Sequence, residues 1–436
     1  AAAGGGHLAL LRWLHDEGCP WTAATCAAAA GGGHTQVLAY SRGAGCPWSA
    51  QTCTAAARGG HVGTLLFARG AGCPWSAATA AAAAGGGHVE LLQELLDRGC
   101  PWGDSAWSAA ARGGHADCLE LLLAQPEGCP PAGACAAAAK GGHLGVLQTL
   151  KAVGCPWDSR TTAAAAGCGD LELLQWARFH GCLWGVQATV TAARGGHLPV
   201  LQWMRSQGIS LKAKTFAAAA ASGSLPMAQW LHAEGCPFDG AACAAAAEAG
   251  EAALLRWLHA AGCEWDARTS AAAAGRGDIR LLAWLEAARC PFDASACGSA
   301  ARGGRLPALR WLRARGHPWN EETAAQAAQG GHLDLLQWLR LEGGCPWDRR
   351  TCSWAAAGGH LDVLMWAREH GCPWTEATVV NALRGGHTHV IDWAVRHGCP
   401  YTPSMESSWY LNNVWNGTVL TEDENDEGED EVCCFP

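Results

Sequence analysis

One pattern recurs along almost the whole chain and constrains its fold more than any other feature. Two small residues, usually a glycine pair, are followed by a polar residue, and this polar position returns every 27 or 28 residues from His7 to His387. Fifteen repeats therefore cover residues 1 to about 400 of the 436-residue chain. Periods of this length are typical of solenoids, in which each repeat packs on its neighbours.

Each repeat has the sequence features of two short helices. The first helix follows a residue that favours a helix N-terminus, runs through alanines and ends at the glycine pair. The second has apolar residues on one face, such as Leu333, Leu336 and Leu339, and ends at another glycine. Because helices of about ten residues are unstable alone in water, they must stack. The sequence predicts an all-α, helical-repeat solenoid of about fifteen helix-turn-helix units.

The predicted N-terminal caps of the first helices stand three positions after a loop cysteine or its equivalent. An Asp, Asn, Ser or Thr side chain there can accept a hydrogen bond from a free amide of the first turn. Eleven repeats have such a residue: Thr22, Ser49, Ser76, Asp158, Asp239, Asp266, Asp293, Asn320, Asp348, Thr375 and Thr402.

Tryptophan, with 24 residues, is far more frequent than in ordinary proteins. Ten of these residues lie in second helices and ten in the loops that precede first helices, as Trp338 and Trp347 illustrate. A buried tryptophan removes about 150–250 Å² from water. We therefore expect the rings to be buried between repeats.

The repeat resembles the ankyrin repeat. The residues that carry this resemblance are, in the second repeat, Ala29, Ala30, Gly33, His34, Val37, Leu38 and Gly45. The ankyrin repeat has about 33 residues, and the missing six fall where its β-hairpin finger belongs. A Cys-Pro-Trp loop replaces the finger, as in the tryptophan-rich ankyrin arrays of green algae and giant viruses. The resemblance implies an ankyrin-like scaffold that binds other proteins.

Ten histidines occupy the polar position after the glycine pair, which suggests either metal ligands or helix caps. Asp170, Ser224, Glu251, Asp278 and Arg305 replace histidine in other repeats. Asp and Ser are cap residues, whereas arginine is not a metal ligand. We therefore expect these histidines to cap the second helices, and we expect no metal site.

The 23 cysteines show no metal-binding spacing within the repeats. Thirteen occupy the loop position, and six more follow within the first helix, as Cys19 and Cys26 do. Such a pair could meet, but equivalent cysteines of successive repeats lie too far apart for a disulfide. Free, buried thiols are the expected state, and they favour a reducing, intracellular compartment, cytoplasmic or nuclear.

Neither an enzyme nor a cofactor is indicated, because no nucleophile, metal-protease or phosphate-binding motif occurs. Asp and Glu number 39 and Lys and Arg 30, and much of the −9 charge comes from residues 422–431. The repeats are thus nearly neutral overall. On this basis we expect protein partners, no nucleic acid, no transmembrane segment and a monomeric chain.

Partner contacts are expected where residues vary while the frame of the repeat stays constant. The candidate partner-binding residues follow the loop tryptophans or their equivalents: Arg160, Lys212, Lys214, Glu321, Glu322, Arg349 and Arg350. Large residues within first helices fit either partner contact or local filling of the core: Trp107, Phe216, Gln326, Trp354 and Asn381.

The predicted domain organisation has three parts. Residues 1–400 form the repeat array, 401–416 a C-terminal capping segment and 417–436 an acidic, disordered tail. The chain begins inside a repeat and without methionine, so we expect it to be the C-terminal part of a longer protein. An alternative function is therefore a targeting arm. In that alternative the catalytic part lies outside this chain, is related to the sphingomyelin phosphodiesterases and is membrane-associated.

Overall fold

The structure is a computed structural model that describes residues 2–19, 21–126 and 128–401. These residues contain 29 α-helices and no strand, which confirms the predicted all-α helical-repeat fold. The chain divides into two compact units, Ala1–Pro237 and Phe238–Pro436. The segments predicted as a cap and an acidic tail lie, apart from Tyr401, outside the described residues. The three-part domain organisation therefore stays a prediction.

Even-numbered helices are the first helices of their repeats. They are rich in alanine and end at or just before the glycine pair. Their bounds are α2 (Ala23–Gly31), α4 (Ala50–Arg58), α6 (Ala77–Gly85), α8 (Asp104–Gly113), α10 (Ala132–Gly141), α12 (Ser159–Cys168), α14 (Ala188–Arg194), α16 (Ala213–Ala221), α18 (Gly240–Ala249), α20 (Ala267–Arg276), α22 (Ala294–Arg302), α24 (Glu321–Gln329), α26 (Arg349–Ala357) and α28 (Glu376–Arg384).

Odd-numbered helices are the second helices, and most bury a group of apolar side chains that includes leucine, valine or methionine. Their bounds are α1 (Leu8–Asp16), α3 (Thr35–Gly43), α5 (Val62–Gly70), α7 (Val89–Asp97), α9 (Ala116–Leu123), α11 (Leu144–Ala152), α13 (Leu171–Phe179), α15 (Leu198–Ser206), α17 (Leu225–Ala233), α19 (Ala252–Ala260), α21 (Ile279–Ala287), α23 (Leu306–Ala314), α25 (Leu333–Leu341), α27 (Leu361–Glu369) and α29 (Thr388–Arg396).

Within each unit, every first helix packs against the first helix of the next repeat and against its own second helix. Alanine makes this close approach possible: Ala56 and Ala83 are fully buried at equivalent positions. Larger side chains enter this layer in two places, because Trp107 and Phe216 are 1% and 0% exposed. Both therefore fill the core, which decides for them between the two roles left open by the sequence.

The predicted caps of the first helices are confirmed for most of the described repeats. The carboxylates of Asp158, Asp239, Asp266, Asp293 and Asp348 accept a hydrogen bond from the second amide of the helix. Ser49 does the same, and Ser76 and Asn320 form capping boxes with a threonine. Thr22 and Thr375 occupy the cap position without a side-chain bond. Thr402 lies outside the described residues.

The histidines stand at the cap position of the second helices, but the prediction that they cap these helices is wrong. Each Nε2–H instead donates to a main-chain carbonyl oxygen of the preceding repeat, as His61 does to Gly31 at 3.1 Å. The same bond is made by His34, His88, His115, His143, His197, His332, His360 and His387, at 2.9–3.1 Å. These bonds join neighbouring repeats.

Histidine is replaced in five repeats, and four of the replacements form one of two kinds of hydrogen bond, whereas Glu251 makes no side-chain bond to its helix. Asp170, Ser224 and Asp278 accept a hydrogen bond from the third amide of their helix and so do cap it. Arg305 instead reaches back, and its Nε donates to the carbonyl oxygen of Gly275 at 3.3 Å. The position therefore supports either a helix cap or a link between repeats, according to the length of the side chain.

Besides ending the first helix, the glycine pair leaves room for a histidine ring. A Cβ on Gly304 would lie 2.7 Å from Cε1 of His332, and a Cβ on Gly330 would lie 2.7 Å from its Cδ2. The histidine ring is thus held between its own glycine pair and that of the preceding repeat. Any other residue would occupy the space of the ring.

Loop cysteines also join repeats. The thiol of Cys46 donates to the carbonyl oxygen of Thr22, and that of Cys182 to the carbonyl oxygen of Asp158, at Sγ–O distances of 3.3 and 3.2 Å. In most other described repeats the loop thiol makes the same bond to the N-cap residue one repeat earlier. A weak hydrogen bond thus recurs at most of the described junctions.

Candidate interaction surface

The loop tryptophans form a surface in which a basic side chain covers one face of each ring. Arg313 lies 4.4 Å from the ring centroid of Trp319, and Arg340 lies 4.7 Å from that of Trp347. Five more pairs have the same arrangement: Arg42–Trp48, Arg69–Trp75, Lys151–Trp157, Arg178–Trp184 and Arg368–Trp374. We call these seven pairs the tryptophan–arginine ribbon of each unit.

The local sequence explains how each pair forms. The basic residue stands in the last turn of a second helix, where a positive charge is favoured by the free carbonyl groups. The chain then turns through glycine and, in five of the seven pairs, Cys-Pro, and this returns the tryptophan to the helix end six or seven residues later. Stacking of this kind contributes about 0.5–1 kcal/mol at an exposed site.

A second tryptophan lies against five of the seven loop rings. The Trp347 ring meets that of Trp366, in the following second helix, at a centroid distance of 5.9 Å and an angle of 65°. Edge-to-face contacts of this kind also join Trp157 to Trp176 and Trp319 to Trp338. The order of groups is thus basic side chain, loop ring and helix ring.

The ribbon is partly open to solvent. The loop and helix tryptophans of these contacts are half-buried, and the basic groups of Arg313 and Arg340 are exposed. The expectation that the loop tryptophans are buried between repeats is therefore wrong. The edge-on helix ring covers only part of each loop ring, because the loops run along the outer edge of the repeat. The ribbon consequently presents aromatic surface and positive charge together.

A shallow groove beside Trp265 shows the shape available between two successive loops. Its volume is about 480 Å³, and its walls include His259, Glu264, Arg289 and Pro291. The imidazole of His259 lies flat on Trp265, with a centroid distance of 3.9 Å and an angle of 7°. In this repeat histidine thus takes the place of the stacked arginine.

The candidate residues chosen from sequence lie beside the ribbon and not in it. Arg160 and Arg350 are in the first turn of their helices and form ion pairs with Asp158 and Asp348. Lys212, Lys214, Glu322 and Arg349 are exposed, and Glu321 is half-buried. Glu322 lines a separate groove of about 340 Å³ with Asp293, Asn320 and Gln326. Their role in partner binding stays a prediction.

The basic members of the ribbon were missed by the sequence analysis. A Lys or Arg six or seven residues before the loop tryptophan is the signal that identifies them. In the sequence these residues look like an ordinary solvent-exposed helix end. Only the return of the loop to the helix end brings the two side chains together.

The described ranges contain no group of three or more His, Cys, Asp or Glu residues that could hold a metal ion. Among the described helices, none has both the length and the apolar character that membrane crossing requires.

No family model and no curated protein matches the sequence. Similar solved structures are maize pentatricopeptide repeat protein PPR10, at 15% identity over 95% of this chain and 79% of that chain, and the human ASB11 ankyrin repeat domain, at 19% identity over 41% and 96%. Both TM-scores are 0.31, so the fold assignment rests on the helices described above.

The chain is an array of helical repeats. Its 29 described helices are consistent with ankyrin-like repeats, the resemblance carried by the sequence.

The exclusion of nucleic acid is corrected by these comparisons. PPR10 is also among the similar structures in complex with an 18-nucleotide psaJ RNA element. The exclusion relied on net charge, which averages over every face of the molecule. The tryptophan–arginine ribbon gathers basic side chains locally, and a net charge near zero over the repeats does not reveal such a grouping.

Proposed function

We propose that the chain is a non-enzymatic repeat scaffold, and that its tryptophan–arginine ribbon binds acidic segments of other proteins. The observation that carries the proposal is the stacking of Arg or Lys on half-buried loop tryptophans in repeat after repeat. Tryptophan and arginine are the residues most enriched among those that dominate protein–protein binding energy.

Charge complementarity identifies the kind of partner. The exposed basic groups favour Asp and Glu side chains, while the indole rings favour apolar side chains between them. A guanidinium already stacked on a ring has lost much of its freedom, so binding costs it less entropy. All 21 described cysteines are free, which supports a reducing, intracellular location.

The test compares ligand classes on the purified full chain. A displayed library of random twelve-residue peptides is selected for binding, and the selected peptides are then measured individually beside single-stranded RNA oligonucleotides of mixed sequence. We expect enrichment of Asp and Glu next to Leu, Phe or Trp. Preferential binding of RNA, or selection of basic peptides, would contradict the proposal.

A matched pair of variants locates the binding surface. Arg313→Glu combined with Arg340→Glu reverses two ribbon charges, and should weaken peptide binding about tenfold or more. Arg280→Glu combined with Arg384→Glu makes the same charge change on exposed residues of α21 and α28 outside the ribbon, and should have little effect. Equal losses from the two changes would mean that only overall charge matters.

A further inference from the structure

Two cysteines of neighbouring repeats meet inside the C-terminal unit. Cys243 lies in the middle of α18, and Cys263 lies in the loop between α19 and α20. Their Sγ atoms are 3.0 Å apart, and both side chains are almost fully buried. The sequence analysis considered a different partner, the cysteine of the preceding loop. That interpretation is wrong, because the thiol of the first helix points towards the following repeat.

The same contact recurs wherever a first-helix cysteine is followed by a loop cysteine twenty residues later. The side chains of four further pairs also lie close enough to interact: Cys26 with Cys46, Cys53 with Cys73, Cys135 with Cys155 and Cys352 with Cys372. The Cys352 thiol donates to the main-chain oxygen of Cys372, at 3.9 Å. The described residues thus contain five such dithiol pairs. Each pair connects one repeat to the next.

We propose that these dithiol pairs are oxidation sites, at which a peroxide converts two thiols into a disulfide that covalently links adjacent repeats. The inference rests on the separation of the sulfur atoms and is independent of the proposed partner. In the reduced protein the Cys243 thiol donates to the sulfur of Cys263, whose own thiol donates to the carbonyl oxygen of Asp239 at 3.3 Å.

The two sulfurs have different roles in the reaction. Cys263 is 4% exposed and Cys243 is 0% exposed, so the loop sulfur is the one that a small oxidant reaches first. The hydrogen bond donated by Cys243 lowers the pKa of Cys263. The same hydrogen bond, together with burial, raises the pKa of Cys243. The thiolate needed for attack therefore forms on Cys263.

The chemistry balances with one hydrogen peroxide for each pair. The Cys263 thiolate attacks one peroxide oxygen, the O–O bond breaks, and hydroxide leaves and takes up the proton that the thiol released. Cys243 then attacks the resulting sulfenic acid. The S–S bond forms, the S–O bond breaks, and the hydroxyl group leaves as water with the Cys243 proton. Two sulfurs are oxidised by two electrons, and peroxide is reduced to two waters.

One repeat provides a natural control. Cys297 occupies the first-helix position, but the residue twenty positions later is His317 and not cysteine. Cys297 is fully buried, as Cys243 is, so the two differ in the partner and not in burial. The proposal therefore predicts that Cys297 resists conversion to a disulfide.

The experiment treats the reduced, folded full chain with hydrogen peroxide, then maps disulfides by mass spectrometry of non-reduced peptides. We expect peptides that join Cys243 to Cys263 and the four equivalent pairs, each lighter by two hydrogens, with Cys297 still a thiol. His317→Cys should add a sixth link, from Cys297 to the new cysteine. Cys243→Ala should abolish the Cys263 link and leave the other pairs unchanged.

The result that would overturn the proposal is equally specific. Links within one repeat, such as Cys19 to Cys26, would show that another geometry governs oxidation. Thiols that react only after denaturation would show that peroxide does not reach the pairs. If Cys243→Ala does not fold, the wild-type map and the added link in His317→Cys still decide.

Discussion

Gly33 and the ring of His61 pack so closely that a Cβ atom on Gly33 would not fit between them. A Cβ on Gly33 would lie 2.6 Å from Nδ1 of the His61 ring, although the two residues belong to different repeats. The ring holds this place because its Nε2 is bonded to the carbonyl oxygen of Gly31. A glycine in one repeat is thus required by a side chain of the next.

Gly33→Ala should therefore destabilise the N-terminal unit more than Gly142→Ala. Both glycines have φ of +74°, so both alanines carry the cost of a left-handed backbone, about 1–2 kcal/mol. Only Gly33 faces a histidine, because Asp170 follows Gly142 in the next repeat and nothing lies within 4 Å of a Cβ there. We expect an additional loss of about 1 kcal/mol at Gly33. Native-state hydrogen exchange measures the stability of the N-terminal unit in both variants. Equal losses of stability would refute the role of the histidine ring.

His332→Ala should lower the stability of the C-terminal unit by about 1 kcal/mol, because it removes a bond of 2.9 Å to the carbonyl oxygen of Arg302. His332→Asp should recover part of this loss, since Asp278 at the equivalent position caps its helix. Urea unfolding followed by tryptophan fluorescence measures both variants. A more stable alanine variant would show that the bond does not hold the repeats together.

Alkaline pH should destabilise the protein through its buried thiols. Burial raises the pKa of Cys290 from 9.0 to about 12. The unfolded chain therefore loses this proton at lower pH than the folded chain does. The stabilising contribution is complete below pH 9 and is lost as the pH rises from about 9 to 12.

As the pH rises through this range, the unfolding free energy of the wild type falls. In Cys290→Ala the slope of this fall should be smaller by about 1.4 kcal/mol per pH unit. Val363→Ala removes buried carbon but no thiol, and is the control. Urea unfolding in reductant at pH 9, 10 and 11 gives the slopes. Parallel slopes for wild type and Cys290→Ala would contradict the assignment.

The period, the glycines and the caps of the first helices could be predicted because they depend on local backbone geometry. Asp158 caps α12 as expected, for example, since its carboxylate reaches an amide only two residues away. The hydrogen-bond acceptor of each histidine ring could not be predicted. An imidazole at that position can reach either its own helix or the preceding repeat. Which of the two it reaches depends on the distance between repeats, and the sequence motif of one repeat does not determine that distance.

The candidate surface was only half predictable for a similar reason. Sequence identified the loop tryptophans, but Arg340 and Trp347 meet because the chain reverses between them. The partner of Cys243 was missed because it lies in the next repeat. Contacts within a repeat follow from sequence patterns, whereas contacts between repeats depend on how the helices stack.

Among the described residues other than glycine, Arg289 alone has a positive φ, of 59°. Glycine takes this place in the neighbouring repeats, where Gly262 and Gly316 have φ of 85° and 80°. Arg289→Gly should therefore raise stability by about 1 kcal/mol, because it relieves a strained backbone. Arg289→Ala keeps the strain and should bring no gain. The urea midpoint distinguishes them, and a less stable glycine variant would show that the arginine side chain outweighs the strain.

The acceptor of each histidine bond is a main-chain oxygen, which every amino acid supplies. Gly4, Arg58, Arg112, Gln329 and Ala357 all serve in this way. The bond also survives an extra residue, because it spans 31 positions at His143 and His360 and 30 elsewhere. The preceding repeat need only supply the glycine beside the ring, and this bond requires no particular side chain at the acceptor residue. Such an array is modular: whole repeats can be duplicated, lost or reshuffled in the gene, and each new junction closes without any compensating substitution.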